Sequence, residues 1–568
     1  MSFHGGARVN CRQVVVRALA VLIGLAGPNL ASAQTPLPGT VQPGQIERQF
    51  QKPPEPRAAP GPIQIPATTQ QPPANAESIR FVLRQVTLEG VTAYAPDDLR
   101  PTYAEHLGRE VTLAEIYRIA DALSARYRND GYILSQVVVP AQSVEGGAVR
   151  LQAIEGYVAA VRAEGPEALQ VRAAAYSDRI KAARPLTASV LERYLLLLND
   201  LPGMTARAVL VPSKTQAGAS ELVLQLSQRA FAGGLSLDNR GSRALGKNRW
   251  HGDLEAYDLL GGPSRSAIRV VTSGNKRLNY LSLAHEHFLG SEGGKLGLSV
   301  NVSRSEPETF AIIPLNLETA SESLNVTYAY PLLRGRTQNL YLRGTLAAHD
   351  GRTELFGVKD TEDRIRAVRL ALTWDRADSL GGVNIVDLEF SQGFRGLGSS
   401  HNGDPFLSRP DARVDFSKAT LYAARLQSLG ERWSILAAFS GQRAFTNLLS
   451  SELFSYGGEQ FGRGHDPSEL VGDHGAALKF ELRYTASLPF DAGGSYTAYG
   501  FYDMGRVRQR NPGGLNAAES AASTGLGLRI GIGRHVSGVV EAAKPVTRVV
   551  AQEGDQKMRL FGGLSIRF

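Results

Sequence analysis

The chain has one cysteine in 568 residues, Cys11, and it lies ahead of the apolar stretch 18–26. Arg8, Arg12 and Arg17, that stretch, and Ala31-Ser32-Ala33 before Gln34 make up the three parts of a secretory signal, so cleavage after Ala33 is expected. A mature chain without a thiol excludes disulfides, cysteine-ligated zinc and a cysteine nucleophile. Long hydrophobic runs are missing as well. Charged residues make up 20% of the chain and the apolar ones are scattered, so no membrane-spanning helix is expected after the signal. Nor is there a strong excess of one charge: the formal +8 falls to +5 when the three arginines of residues 1–33 are removed. Lys and Arg are interspersed with acids, without a basic stripe carrying aromatics, which argues against a nucleic-acid partner.

Catalytic constellations are also lacking. There is no Gly-x-Ser-x-Gly, and residues 290–296 (GSEGGKL) have neither the spacing of a phosphate loop nor a hydroxyl residue after the lysine. His285-Glu286-His287 does not have zinc-protease spacing; two histidines at i and i+2 share one side of a strand, which reads as a solvated pair on a barrel wall rather than a metal site. No enzyme, metal or cofactor is expected.

Four textures follow one another along the chain. Residues 34–79 are rich in proline and act as a tether. Within it GQIERQFQ (44–51) reads either as a short helix after Pro43, with Ile46 and Phe50 on one face, or as coil. Residues 80–156 read as β-α-α-β-β: the strand FVLRQVTLEG, a helix over APDDLRPTYAEHL, a longer helix from Thr112 to Gly131, then ILSQVVVPAQ and AVRLQAIEGY. Leu113, Ile116, Ile119, Ala120 and Leu123 fall on one face of the long helix. Residues 157–229 repeat that order. From residue 230 onward the period is two, as in Leu296, Leu298, Val300 and Val302 against Gly297, Ser299, Asn301 and Ser303. In the last segment Met558, Leu560, Leu564, Ile566 and Phe568 share a face, and the chain ends on that aromatic, a barrel assembly signal. The expected fold is a transmembrane β-barrel after two small α+β units, and 339 residues at roughly 21 per strand give about sixteen antiparallel strands.

Two glycine-containing segments stand out in the barrel half. Residues 457–466 (GGEQFGRGHD) place one arginine between glycines, Gly462-Arg463-Gly464, a composition that lets a loop fold back into a confined space. Residues 499–505 (YGFYDMG) put Asp503 in the middle of a strand, where it must face the lumen and seek a cation. From the residues alone, a loop tucked inside with Arg463 on Asp503 and an unrelated pair of charges are equally good readings.

At these segments the chain resembles the transporters of two-partner secretion, the haemolysin and filamentous-adhesin secretion proteins. That family joins a plug helix and linker to two POTRA domains and a sixteen-stranded barrel, which residues 34–79, 80–156, 157–229 and 230–568 would match. Its Val-Arg-Gly loop signature reads Gly462-Arg463-Gly464-His465 here, with changed flanks, and its Phe-x-Asp-x-Gly strand signature is met by Phe501, Asp503 and Gly505. Similar in texture are Asp238-Asn239-Arg240-Gly241 at the first barrel hairpin and Tyr330-Pro331-Leu332 at a strand end. The resemblance implies pairing of Arg463 with Asp503, an outer-membrane location with the α+β units in the periplasm, and contact with outer-membrane lipid and the barrel assembly machinery. It also implies export of an unfolded exoprotein, an adhesin, haemolysin or toxin-like chain, captured by strand addition to a POTRA edge. That edge is expected at ILSQVVVP, with Val137 and Val139 as exposed positions. An insertase that folds other barrels uses the same parts but is disfavoured by only two such units; a passive porin would have no use for them.

Overall fold

The structure, a computed structural model, describes residues 37–51, 56, 70–95, 97–308, 316–489, 493–511 and 517–568. The secretory signal and much of the linker lie outside these residues. Gly39–Phe568 form one compact unit.

Sixteen antiparallel strands close into a barrel, from Phe231–Asp238 (barrel strand 1) to Arg559–Arg567 (barrel strand 16), which pair with each other at the seam. Closure removes every sheet edge, so all main-chain polar groups in the bilayer find partners within the wall. The two-residue period sorts the side chains. Leu235, Trp250, Ile268, Leu283, Leu298 and Leu564 are exposed on the outer face, while Asn301, Ser303 and Ser321 of adjacent strands are buried inside. Trp433 packs edge-on against Tyr484 at 5.0 Å, and Tyr484 lies 6.3 Å from Tyr496, an outer cluster close to the barrel's short turns. Pro331, which cannot donate to the ladder, sits at a bulge in Glu318–Arg334. Phe568 continues the outward row and exchanges main-chain hydrogen bonds with Gly233 at 3.0 Å in both directions.

The first α/β unit has a three-stranded sheet with Ala148–Ile154 in the middle, parallel to Gln85–Glu89 and antiparallel to Gln136–Val138. After the single-turn helix α1 (Gln45–Arg48), its main helix is α2 (Leu113–Asn129). A reciprocal capping box between Thr112 and Glu115 starts α2, and Gly131 follows its end at φ +93°. The helix expected over residues 95–107 is instead two 3₁₀ turns, Arg100–Thr102 and Ala104–His106. Pro101 near their start and the brevity of the segment favour the tighter turns. The strand expected from residue 80 is split: Arg80–Val82 pairs with Glu110–Thr112, and Gln85–Glu89 joins the sheet. The second unit repeats the order as Tyr157–Glu164, α3 (Glu167–Ala182), α4 (Ala188–Asn199), Met204–Pro212 and Ala219–Gln228. It is tied to the barrel's short turns: Arg172 meets Asp258 at 2.7 Å, Tyr194 donates to Glu292 at 2.9 Å, and Arg334 donates to Asp200 at 2.7 and 2.8 Å.

Candidate functional site: a plugged barrel lumen

Barrel strands 11 (Trp433–Ala444) and 12 (His474–Ser487) are joined on the side away from the α/β units by residues 445–473. This loop carries its own small hairpin, Phe454–Tyr456 with Leu470–Gly472, and folds back inside the barrel. Phe454, Tyr456 and Phe461 there join the wall residues Ala438, Ala477, Val507 and Ala521 in one buried cluster.

At the inward tip of the loop is Arg463, which is 2% exposed and faces Asp503, which has no exposure at all. Arg463 donates from Nε and Nη2 to the two carboxylate oxygens of Asp503 at 2.8 and 2.6 Å. The main-chain N–H groups of Gly462 and Arg463 donate to Asp503 Oδ2 at 3.2 and 3.0 Å, so this one carboxylate fixes both side chain and backbone of the loop tip. The guanidinium also stacks over Phe501, 3.6 Å from the ring centroid.

The glycines make this approach possible. A Cβ on Gly505 would fall 2.1 Å from the Tyr456 ring, so the strand must be bare where the loop crosses it. Gly462, at φ +89°, also abuts Tyr456, and a Cβ on Gly464 would meet Ser523 at 2.7 Å. His465 packs 6.2 Å from Tyr456 and sits by the Ala522 carbonyl at 3.3 Å.

The charge of Arg463 is shared further than Asp503. It pairs with Glu481 and approaches Glu541 at 3.7 Å. Arg483 donates to Glu481 at 2.7 Å and Arg529 at 3.1 Å, while Arg240 and Tyr499 donate to Glu541 at 2.9 and 2.7 Å. Glu481 and Glu541 went unnoticed in the sequence. Each is an acid between apolar, outward-facing neighbours, the same signal that singled out Asp503. The expected hairpin motif at residues 238–241 therefore meets this network through Arg240, and Asp238 pairs with Arg249 and His251, each at 2.8 Å.

A second group holds the segment at residues 39–51 within the lumen. Ile46 and Phe50 pack on Leu245, Val271, Leu278 and Tyr280 of the barrel. Glu47 accepts from Asn301 and Ser323 of the wall at 2.9 and 2.8 Å. On its other side Gln45 donates to the carbonyls of Ser450 and Leu453 at 2.8 and 3.2 Å, and Arg48 to that of Leu453. Buried Glu452 of the same loop pairs with wall residues Arg369 and Lys418 at 2.6 Å each, and with Arg48 at 3.6 Å. Plug and loop thus brace one another. Beneath them a cavity of about 1990 Å³ is lined by Phe50, Asp238, Arg249, His251, Arg463 and Arg529.

Val137 and Val139 are corrected by the structure: their side chains are 3% and 7% exposed and belong to the first unit's core. Alternation sends these two inward under α2, and only their main chain faces the sheet edge. His285 and His287 belong to a barrel strand, Leu278–Leu289. They alternate with lumen-facing Tyr280 and lie on the outer face beside Leu296 and Leu298, with Ser266 Oγ 2.9 Å from His285 Nδ1. Among the described residues no group of three or more His, Cys, Asp or Glu side chains could hold a metal ion.

Residues 218–530 match the model of the haemolysin secretion/activation protein family, ShlB/FhaC/HecB, and residues 81–156 that of the ShlB-type POTRA domain. The chain belongs to this family. Among relatives, it is 22% identical over 438 residues to the heme/hemopexin transporter protein HuxB of Haemophilus influenzae strain 86-028NP, covering 76% of each chain. It is 23% identical over 413 residues to the outer membrane transporter CdiB of Dickeya dadantii, covering 72% of this chain and 73% of that one. The solved structure of CdiB from Escherichia coli superposes with a TM-score of 0.72 at 18% identity, over 99% of this chain and 100% of that one; CdiB from Acinetobacter baumannii gives 0.61 at 16%, over 98% of each. Family membership makes this an outer-membrane transporter of two-partner secretion, its POTRA side in the periplasm.

Proposed function

We propose that this chain captures one unfolded exoprotein at its periplasmic units and passes it through the barrel lumen to the cell surface or medium. The observation that carries this reading is the lumen itself. It is occupied by two parts of the chain's own sequence, residues 39–51 and the loop of Arg463, held by contacts with side chains of the wall and not by its strand ladder. A passive pore needs no such closure. The periplasm supplies no ATP, so direction would come from the exported chain folding outside.

The exported partner belongs to the adhesin, haemolysin or toxin-like class. The test is deletion of the gene in its host, followed by comparison of surface and medium proteins and of total outer-membrane barrels. Loss of one large exoprotein with other barrels unchanged is expected; a general fall in barrel proteins would replace this reading with that of an insertase.

A further inference from the structure

The three-stranded sheet of each periplasmic unit has two edge strands, one paired parallel and one antiparallel to its middle strand, and the two antiparallel edges are in different states. In the first unit the edge is Gln136–Val138. Its outward main chain is already engaged. The Val137 N–H donates to the Ser124 hydroxyl at 2.8 Å, and that hydroxyl lies 3.2 Å from the Val137 carbonyl oxygen. At Val139 the Gln70 carboxamide of the linker does both jobs, accepting from the N–H at 2.9 Å and donating to the carbonyl at 3.2 Å. A carboxamide carries the same donor and acceptor as a peptide group. Gln70 therefore sits where one peptide of an added strand would sit.

In the second unit the edge strand is Met204–Pro212, nine residues against three. Antiparallel pairing with Ala219–Gln228 turns the main chain of every second residue outward. Ala206 is held as Val139 is, donating to Asn199 Oδ1 at 2.9 Å and accepting from Asn199 Nδ2 at 3.0 Å. Beyond it, among the described residues, nothing pairs with the outward groups of Ala208 or Leu210. Val209 and Val211 are 52% and 43% exposed on the adjoining sheet face, and Pro212 ends the run by offering no N–H. Such an open apolar edge invites strand addition. The strand carries Arg207 and no acid, which favours an apolar or acidic visitor over a basic one.

We propose that the chain masks the docking edge of its first unit with its own Gln70 and Ser124, leaving the edge at Ala208 and Leu210 of the second unit to receive the first extended segment of the exported protein. This rests on the transport function above. The occupant is an extended peptide with alternating apolar side chains, since a carboxamide already takes a peptide's place on each edge, Gln70 at Val139 and Asn199 at Ala206.

The test uses the full-length transporter in its host and measures export of the exoprotein lost on gene deletion. Ala208→Pro with Leu210→Pro removes two outward N–H groups without touching the internal ladder, and should lower export at least roughly tenfold while the barrel still reaches the outer membrane. Gln70→Ala, which only uncovers the first unit's edge, should leave export at the parental level. The reverse pattern, or parental export by the double proline variant, overturns the proposal while leaving the transport function standing; no exoprotein lost on gene deletion would instead overturn the function.

If the proline variant fails to reach the membrane, a second measurement decides. With Cys11→Ser as background, Val209→Cys is labelled in cells with a bulky maleimide and compared with Val171→Cys, a residue 71% exposed on α3. Export blocked by the label at 209 alone supports the open edge. Export unaffected at 209, or blocked equally at both, overturns it.

Discussion

Arg463 is the residue whose removal should be felt most. Its guanidinium is buried against Asp503, Glu481 and Glu541, so Arg463→Ala leaves carboxylates in the lumen without their central cation. Breaking a buried pair from one side costs about 3–5 kcal/mol. The barrel wall, closed by sixteen continuous strands, does not depend on that contact. The expected outcome is loss of export with the variant still inserted and heat-modifiable in gels, while normal export would remove the loop from the mechanism. Keeping the charge alone should not restore export, because Arg463→Lys loses both the two-pronged contact and the stacking on Phe501. Gly505→Ala tests the same crossing from the strand, since its Cβ would strike the Tyr456 ring. Loop residues such as Arg463 should then become open to protease added outside the cell. Part of this was legible in the residues: an acid in mid-strand must look inward, so Asp503 announced a cation partner. Which cation was not legible, because the partner lies 40 residues away on a loop whose path depends on the whole barrel. The same argument, applied to Glu481 and Glu541, would have found the rest of the network.

Elements show a different balance of what a sequence reveals. Period-two alternation exposed the barrel strands because lipid outside and polar lumen inside impose opposite demands on successive side chains. Within the first unit alternation misled, since it tells that Val137 and Val139 share a face but not whether that face is the core. Likewise residues 95–107 read as a helix, yet the turns there are 3₁₀. Glu155 gives this unit a pH response. Burial disfavours its charge, but hydrogen bonds from the Thr92 hydroxyl, the Ala93 and Thr92 N–H groups and the Tyr127 hydroxyl outweigh that and hold its pKa below the ordinary 4.5. A depressed carboxylate pKa means the folded unit binds fewer protons than the unfolded one. The stabilisation is therefore complete above pH 4.5 and fades as the pH falls through the lower folded value. Hydrogen exchange of the Thr92 and Ala93 amides in the intact protein should accelerate as pH is lowered across that window, after correction for intrinsic rates. Glu155→Gln should flatten the dependence; an unchanged pH profile in that variant would place the response elsewhere.

For the whole molecule, the closed state rests on a three-way brace of wall, loop and plug. Glu47 binds the wall through Asn301 and Ser323, while Gln45 and Arg48 of the same helical turn bind loop carbonyls. The transport function proposed above has the exported chain pass through this lumen, which the plug must first vacate, and its departure would take Arg48 from Glu452. The contacts are nested: none of those that hold α1 involves Arg463 or Asp503, whereas α1 links the loop to the wall as long as it is bound. Glu47→Ala removes both hydrogen bonds from the wall to this carboxylate, each worth about 1.5–3 kcal/mol, so the ratio of open to plugged barrels should rise roughly a hundredfold or more. In planar bilayers the variant should show long open-channel events that the parent shows rarely. Export should persist, because the parent must release the same segment during each passage. Adding Arg48→Ala should lengthen the open events further by freeing the loop side of the brace. Conductance identical to the parent in both variants would mean that the apolar seat of Ile46 and Phe50, rather than the polar brace, holds the barrel shut.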